Sequence, residues 1–223
     1  MEFNRYTYKA FNGSSHRIIG NLLNSRRPQR ILDLGCSEGH IGAALEYHPE
    51  YLAGLDLVKP LSLHPRYSYF CISDIERELP VEIAAALFDA IVLADVLEHL
   101  RKPEAVLKRL RPLLARGGKL IVSVPNMNLV LIRHILKAGF RPKFAKGPFD
   151  RTHLHNFVPG SITKCVENAG YRVTGIEVSA IPIAMMGGIF ATALYPLHLA
   201  AYTLSKRYPY SLGYQLIVSA DGV

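Results

Sequence analysis

Ile31-Leu32-Asp33-Leu34-Gly35-Cys36-Ser37-Glu38-Gly39 is the stretch whose reading decides the fold. An apolar run ends beside an acid, and a glycine-bearing turn follows. The pattern predicts a strand, a tight turn and a helix over residues 38–47. Gly35 and Gly39 let the backbone turn sharply and come close to a ligand. A dinucleotide fingerprint would place glycines at 35, 37 and 40. Those positions hold Gly35, Ser37 and His40, so two of the three fail. Asp33 also sits where a pyrophosphate would be repelled and a cationic amino group welcomed.

Outward from this stretch, apolar runs alternate with helical ones up to about residue 124. Residues 51–55, 67–71 and 88–93 read as further strands, and residues 84–87 close a short helix. Pro103 suits the first turn of a helix, and Ala105, Val106, Leu107 and Leu110 give it an apolar face. Gly117-Gly118 reads as its stop, and residues 119–124 as the next strand. Such alternation implies an α/β fold with a parallel sheet covered on both faces. Beyond it, residues 128–138 and 161–169 read as helices, the latter capped at or just before Ser161 and stopped by Gly170. Residues 139–148 read as a loop, and residues 171–178 and 214–220 as the last two strands.

Residues 178–205 carry no Asp, Glu, Lys or Arg. A bilayer span needs about 20 apolar residues. Here Pro182, Gly187-Gly188 and Pro196 break the run, and residues 214–220 still need a sheet to join. A hydrophobic insert that leaves the sheet and returns, covering the site or resting on a membrane surface, is expected rather than a transmembrane helix. The chain is read as one domain, residues 1–223: an N-terminal helical segment (1–29), a cofactor half (30–125) and an acceptor half (126–223) with the insert at 178–205.

Two more acids follow the first. Asp56 ends Leu52-Ala53-Gly54-Leu55-Asp56, where an acid can accept hydrogen bonds from ribose hydroxyls. Asp74 in Cys71-Ile72-Ser73-Asp74-Ile75 can accept one from an adenine amino group. Three acids at the ends of three successive strands share the sheet edge where open parallel folds bind ligands. Together they favour a nucleoside carrying an amino-acid group.

These residues resemble the class I S-adenosylmethionine methyltransferases. Leu32-Asp33-Leu34-Gly35-Cys36-Ser37-Glu38-Gly39 is similar to the family's first motif, with Ser37 in place of the usual middle glycine. The run from Phe88-Asp89-Ala90 through Ala94-Asp95-Val96-Leu97-Glu98-His99-Leu100 looks like its fourth-strand motif. Gly117-Gly118-Lys119-Leu120-Ile121-Val122-Ser123-Val124-Pro125-Asn126 looks like the fifth. The resemblance covers residues 16–178. It implies a Rossmann-like seven-stranded sheet with the last strand antiparallel, and a site for S-adenosyl-L-methionine, released as S-adenosyl-L-homocysteine. Its cofactor-binding residues would be Asp33, Gly35, Cys36, Ser37, Gly39, Asp56, Leu57, Asp74, Ile75, Ala94 and Asp95.

A narrower resemblance runs through Asp150-Arg151-Thr152-His153-Leu154-His155-Asn156-Phe157 and Ala169-Gly170-Tyr171. It is similar to bacterial cell-surface and lipid-pathway methyltransferases, to ubiquinone-biosynthesis O-methyltransferases and to MetW-type proteins of methionine biosynthesis. A sulfonium methyl is already electrophilic, so the protein must align a nucleophile and remove its proton. His99 and His153 are the candidate catalytic bases. In ubiquinone-pathway and small-RNA 3′-terminal O-methyltransferases, a Glu-x-x-Glu-His run and a later His hold a divalent metal. The corresponding residues here, Asp95, Glu98, His99 and His153, are candidates for Mg²⁺ or Mn²⁺. The other reading makes Glu98-His99 a helix start and His153 structural.

Charge bears on the acceptor. The chain has 223 residues and a formal net charge of +8. Residues 101–151 hold thirteen Lys or Arg against Glu104 and Asp150. That face is either a solvated basic surface or one for an anionic partner: a phosphorylated substrate, a membrane surface or RNA. The aromatic interleaving of RNA modules is missing, which disfavours nucleic acid. Phe140, Phe144 and Phe149 among the basic residues suit a lipid or a base. Three scattered cysteines, Cys36, Cys71 and Cys165, and the lack of a leader-like apolar start point to a reducing, cytoplasmic setting. The expected activity is O-methylation of a small, anionic or lipid-linked acceptor, with peripheral membrane contact. A non-catalytic cofactor-binding subunit and an RNA methyltransferase are the alternatives.

Overall fold

The computed structural model describes residues 11–140, 142–144, 147–183 and 191–223. Residues 184–190 of the expected insert, residues 141, 145 and 146 of the basic segment, and residues 1–10 of the N-terminal segment lie outside the described residues.

Helix α1 (Ser15–Arg26) starts where the Ser14 side chain accepts the Arg17 N–H and ends at Arg27 in a left-handed conformation. The first half then lays down β1 (Arg30–Leu34), α2 (His40–Ala44), β2 (Tyr51–Asp56), β3 (Tyr69–Ile72), α3 (Val81–Ala84), β4 (Phe88–Ala94), α4 (Pro103–Leu110) and β5 (Leu114–Pro125). The second half adds α5 (Val130–Lys137), α6 (Pro159–Asn168), β6 (Tyr171–Val178), α7 (Ala191–Arg207), α8 (Pro209–Leu212) and β7 (Gln215–Gly222). The seven strands form one sheet in the order β3-β2-β1-β4-β5-β7-β6. Strands β1 to β5 pair in parallel, and β7 runs antiparallel between β5 and β6.

The central strands are apolar on both faces because both are covered. Leu32 and Leu34 of β1 point into a core built with Val106, Leu107 and Leu110 of α4 and Ile162 and Val166 of α6. Ile31 points the other way, into a core with Ile18, Ile19 and Leu23 of α1 and Ile41 of α2. This alternation leaves Asp33 on the α1/α2 side of the sheet, at its carboxyl edge. The order of strands reverses between β1 and β4, the place where open parallel sheets bind ligands at their carboxyl edge, and Asp33 stands at that place.

Several boundaries differ from those read in the sequence. The helix expected over residues 38–47 spans only His40–Ala44. Ser37 and Gly39 have φ of +48° and +84°, so no helical turn can begin before residue 40. At the other end, the Asn24 side chain takes the Ala44 carbonyl and the Glu46 N–H, fixing the exit. Gly117-Gly118 does not stop α4. That helix ends at Leu110, where Pro112 cannot donate the next hydrogen bond. The two glycines lie inside β5, where pairing with β4 shifts register between Phe88 and Ala90. Helix α3 ends at Ala84 rather than at 87. Helix α6 begins at Pro159, two residues early, and Ser161 caps it from within by accepting the Val158 N–H.

The apolar insert does leave the sheet after β6 and return as β7. Among the described residues no helix is long and apolar enough to cross a membrane. Helix α7 has 17 residues with Pro196 inside it. It folds back on the chain's early segment: His198 is buried, with its ring nitrogens 2.9 Å from the Asn12 carbonyl and 3.2 Å from that of Ile181.

One prediction tests the turn after β1. Gly35 has φ +73°, and a Cβ there would lie 2.5 Å from Val96 Cγ2. We expect Gly35→Ala to cost about 2–4 kcal/mol, from left-handed strain plus the clash. In urea denaturation Val96→Ala should relieve only the clash, leaving the backbone part.

Candidate active site

The loop after β1 is tied to β2 before any ligand is considered. The N–H groups of Gly35 and Cys36 both donate to the Leu55 carbonyl, at 2.7 and 3.1 Å. The Ser37 N–H donates to Asp56 Oδ2 at 2.8 Å. Positive φ at Gly35, Ser37 and Gly39 alternates along the turn, a backbone shape that gathers N–H groups on a concave side. Ser37 therefore holds the conformation its usual glycine would hold.

Asp33 is 1% exposed. The Tyr67 hydroxyl donates to its Oδ2 at 2.5 Å. Its Oδ1 is buried and has no partner among the described residues. Burial pushes its carboxyl up to about 7, with Tyr67 opposing and Asp56 adding to the rise. An unpartnered buried acceptor of this kind asks for a cation or donor.

Tyr67 was not singled out from the sequence, where it read as the start of a strand. Its ring fills the space over three glycines: a Cβ at Gly39, Gly42 or Gly54 would come within 2.7, 2.6 and 2.8 Å of it. The glycines are thus needed for the approach of Tyr67 to Asp33. Tyr67→Phe keeps the ring and removes the bond. We expect S-adenosylmethionine to bind about 10–150-fold more weakly by calorimetry, from the ~1.5–3 kcal/mol of one hydrogen bond to a charged group. Cys36 is buried beside it; burial, then the charges of Asp33 and Asp56, push its thiol far up, so it is no nucleophile.

Asp56 accepts from Ser37 through Oδ2 and from the Val58 N–H through Oδ1 at 3.1 Å. Each oxygen keeps a second lone pair able to accept. Leu57 beside it is exposed. Asp74 accepts the Glu76 N–H at 2.9 Å and pairs with Arg77 at 3.3 Å, while Ile75 is buried. Asp33 near the end of β1, Asp56 at the end of β2 and Asp74 just after β3 lie at one edge of the sheet.

At the end of β4, half-buried Ala94 precedes Asp95, whose φ is +57°. The Asp95 N–H donates to the Ser123 carbonyl at 3.0 Å, and its Oδ1 accepts the Ser123 hydroxyl at 3.0 Å and the Gln215 amide. A single turn (Leu97–His99) then buries Glu98 and half-exposes His99. The Glu98 carbonyl accepts the N–H groups of Leu154 and His155, at 2.8 and 3.1 Å. That pairing brings His153 in: its Nε2 is 4.0 Å from Glu98 Oε1, and its ring centroid is 4.8 Å from that of His99. Burial, then the neighbouring His99, holds His153 below the usual imidazole range.

Glu98, His99 and His153 each bring a donor atom within 4.8 Å of the others. Asp95, the fourth candidate metal ligand, is not in this group; Ser123 and Gln215 hold it instead. The set of one carboxylate and two imidazoles suits Mn²⁺ better than Mg²⁺, which favours all-oxygen surroundings. Ser123, Gln215, Asp150 and Thr152 also escaped the sequence reading as site residues, since only the fold brings them to Asp95 and His99.

A family model described as a methyltransferase domain matches residues 5–176. A ubiquinone biosynthesis O-methyltransferase of Coxiella burnetii is 27% identical over 158 residues, 67% of each chain. One from Psychrobacter arcticus is 32% identical over 108 residues, 45% of this chain and 42% of that protein. The match thus spans less than half the length of that relative. Among solved structures, a Burkholderia thailandensis 1,6-didemethyltoxoflavin N1-methyltransferase with bound S-adenosylhomocysteine superposes with a TM-score of 0.60 at 14% identity, over 95% of this chain and 80% of that one. A Synechocystis magnesium protoporphyrin IX methyltransferase gives 0.58 at 14%, over 94% and 82%. These two likenesses concern the fold.

Proposed function

From the premise that this chain belongs to the methyltransferase-domain family and is a class I S-adenosylmethionine-dependent methyltransferase, we propose that it methylates an oxygen of a small acceptor that is anionic or lipid-linked. The observation that carries the reading is the pair of imidazoles, His99 and His153, packed with buried Glu98 just beyond β4.

The residues around β1 to β4 fit the donor. The free Asp33 Oδ1 is the partner for its amino group, and the turn Gly35, Cys36, Ser37 and Gly39 lines its amino-acid end. Asp56 and Leu57 serve the ribose end, Asp74 and Ile75 the adenine, and Ala94 and Asp95 border the path to the acceptor. Bound there, the donor supplies an electrophilic methyl on a sulfonium. This chain's own task is to hold the acceptor oxygen in line and take its proton. His99 is half-exposed and His153 largely buried, so His99 is the base and His153 orients it.

A second reading is favoured by the three donors within 4.8 Å: Glu98, His99 and His153 hold Mn²⁺ or Mg²⁺, which would lower the acceptor hydroxyl's pKa. Full activity in EDTA would sink it.

The surface of helix α5 supports this reading of the acceptor. Helix α5 and the residues after it expose Val130, Leu131, Phe140 and Phe144 together with Arg133, Lys137 and Lys143. Residues 105–149 contain no acid. A basic, apolar face of this kind suits an anionic membrane surface, and so a cytoplasmic enzyme working peripherally on lipid-linked acceptors.

The test is to supply methyl-labelled S-adenosylmethionine with phenolic, carboxylate, phosphorylated and lipid-linked acceptors and with RNA. Label on an oxygen of a small or lipid-linked product supports the reading. Label on nitrogen, carbon or RNA overturns it. Co-sedimentation with anionic but not neutral vesicles would support the membrane part.

A further inference from the structure

We propose that the loop of residues 147–153 clamps both imidazoles of the site in one tautomer, with Thr152 as the positioning residue for His99. The inference rests on the acceptor-side role given above to His99 and His153.

A threonine hydroxyl has a single proton to give. That of Thr152 lies 2.7 Å from Asp150 Oδ1, a carboxylate oxygen that accepts, and its proton goes there. Toward His99 Nδ1, 3.0 Å away, the same hydroxyl must then accept. The Thr152 carbonyl lies 3.3 Å from that nitrogen and can only accept. Two acceptors thus meet one ring nitrogen, so His99 carries its proton on Nδ1 and its lone pair on Nε2.

The same loop does this a second time. His153 Nδ1 lies 3.2 Å from the Pro148 carbonyl, again an acceptor only. His153 therefore also bears Nδ1–H; its Nε2 lies 4.0 Å from Glu98 Oε1, beyond hydrogen-bond reach, so that carboxylate does not draw the proton to Nε2. The loop is held in shape by the Thr152 N–H on Asp150 Oδ1 at 2.8 Å, and by the His153 and Asp150 N–H groups on the carbonyls of Asp150 and Gly147. Nε2 must be unprotonated whether His99 acts as a base or as a metal ligand. Without the clamp the two tautomers would compete, and a fraction of the protein would hold a proton where a lone pair is needed.

Imidazole nitrogen-15 shifts of the full chain at alkaline pH, where both rings are neutral, test the clamp. Signals are assigned with His99→Asn and His153→Asn. His99 and His153 are expected as Nδ1–H tautomers. Thr152→Val should move the His99 ratio about fivefold toward Nε2–H, the value of one net hydrogen bond. It should leave His153 unchanged. Thr152→Ser, which keeps the hydroxyl, should restore the ratio and shows that the loop still folds. Wild-type His99 protonated on Nε2, or a ratio unmoved by Thr152→Val, overturns the proposal. Activity is read separately: if His99→Ala leaves methyl transfer intact, the acceptor-side reading falls, while the shifts still decide the clamp.

Discussion

Asp33→Asn is expected to weaken S-adenosylmethionine binding by about a hundredfold or more, while making the unliganded protein more stable above neutral pH. Both effects have one source. Asp33 is buried, with one oxygen bonded to Tyr67 and the other unpartnered. Its folded pKa of about 7 stands above the ordinary 3.8, chiefly through burial. The folded protein therefore holds a proton there between pH 3.8 and about 7 that the unfolded chain has released. Stability contributed by this group falls as pH rises through that window. Above about pH 7 the buried charge costs roughly 4 kcal/mol, from about three pKa units at 1.4 kcal/mol each. Asparagine removes the charge but leaves a buried amide donor unpaired, at about 1–3 kcal/mol. The net gain is about 1–3 kcal/mol at pH 8, and toward pH 4, where the wild-type carboxyl carries no charge penalty, it turns into a loss of about 1–3 kcal/mol. A cationic amino group reverses the balance for the wild type, pairing with the charge that burial opposed. Donor affinity should accordingly rise about tenfold per pH unit up to pH 7 and then level. Urea denaturation at about pH 5 and 8, with calorimetry across the same range, checks both. A variant that binds the donor as tightly as wild type would sink this account of Asp33.

Asp33 stands out in the sequence as a candidate ligand-binding acid and Tyr67 beside it does not, which shows how the sequence carries this site. Asp33, Asp56 and Asp74 stand at the ends of apolar runs, and the period of strands and helices alone places them at one edge. The contact of Tyr67 with Asp33 depends on residues 57–68 folding back over Gly39, Gly42 and Gly54, which no local pattern encodes. Separation in sequence explains Asp95 too. Spacing groups it with Glu98 and His99, but its left-handed backbone turns it to Ser123 and to Gln215, 120 residues away. The helix expected over residues 38–47 was overestimated because an apolar pattern does not show that Ser37 and Gly39 adopt positive φ. The misread stop at Gly117-Gly118 has a related cause: paired glycines mark a strand bulge as readily as a helix end.

The second large effect concerns the imidazoles. His99→Ala is expected to lower kcat about 10²–10⁴-fold, the usual contribution of a positioned base, with the donor's KM nearly unchanged. The residues proposed for the donor's amino-acid, ribose and adenine ends lie around β1, β2 and β3, and His99 lies beyond β4, so removing its ring should take away proton transfer rather than binding. His153→Ala should cost less, about tenfold, if His153 only packs edge-on against His99 and supports its placement. A metal centre makes a different pattern. Glu98→Gln, His99→Ala and His153→Ala would then fail together, because each removes one of three ligands, and raised Mn²⁺ would partly restore the single variants. EDTA would abolish wild-type turnover in that case and leave it untouched in the other. The graded pattern, with His99 severe, His153 mild and no response to chelator, is the outcome expected of a base on a half-exposed ring. Equal losses at all three positions, rescued by Mn²⁺, would transfer the role from the imidazole to the ion, with the Asp95 carboxylate outside the ligand set in either case.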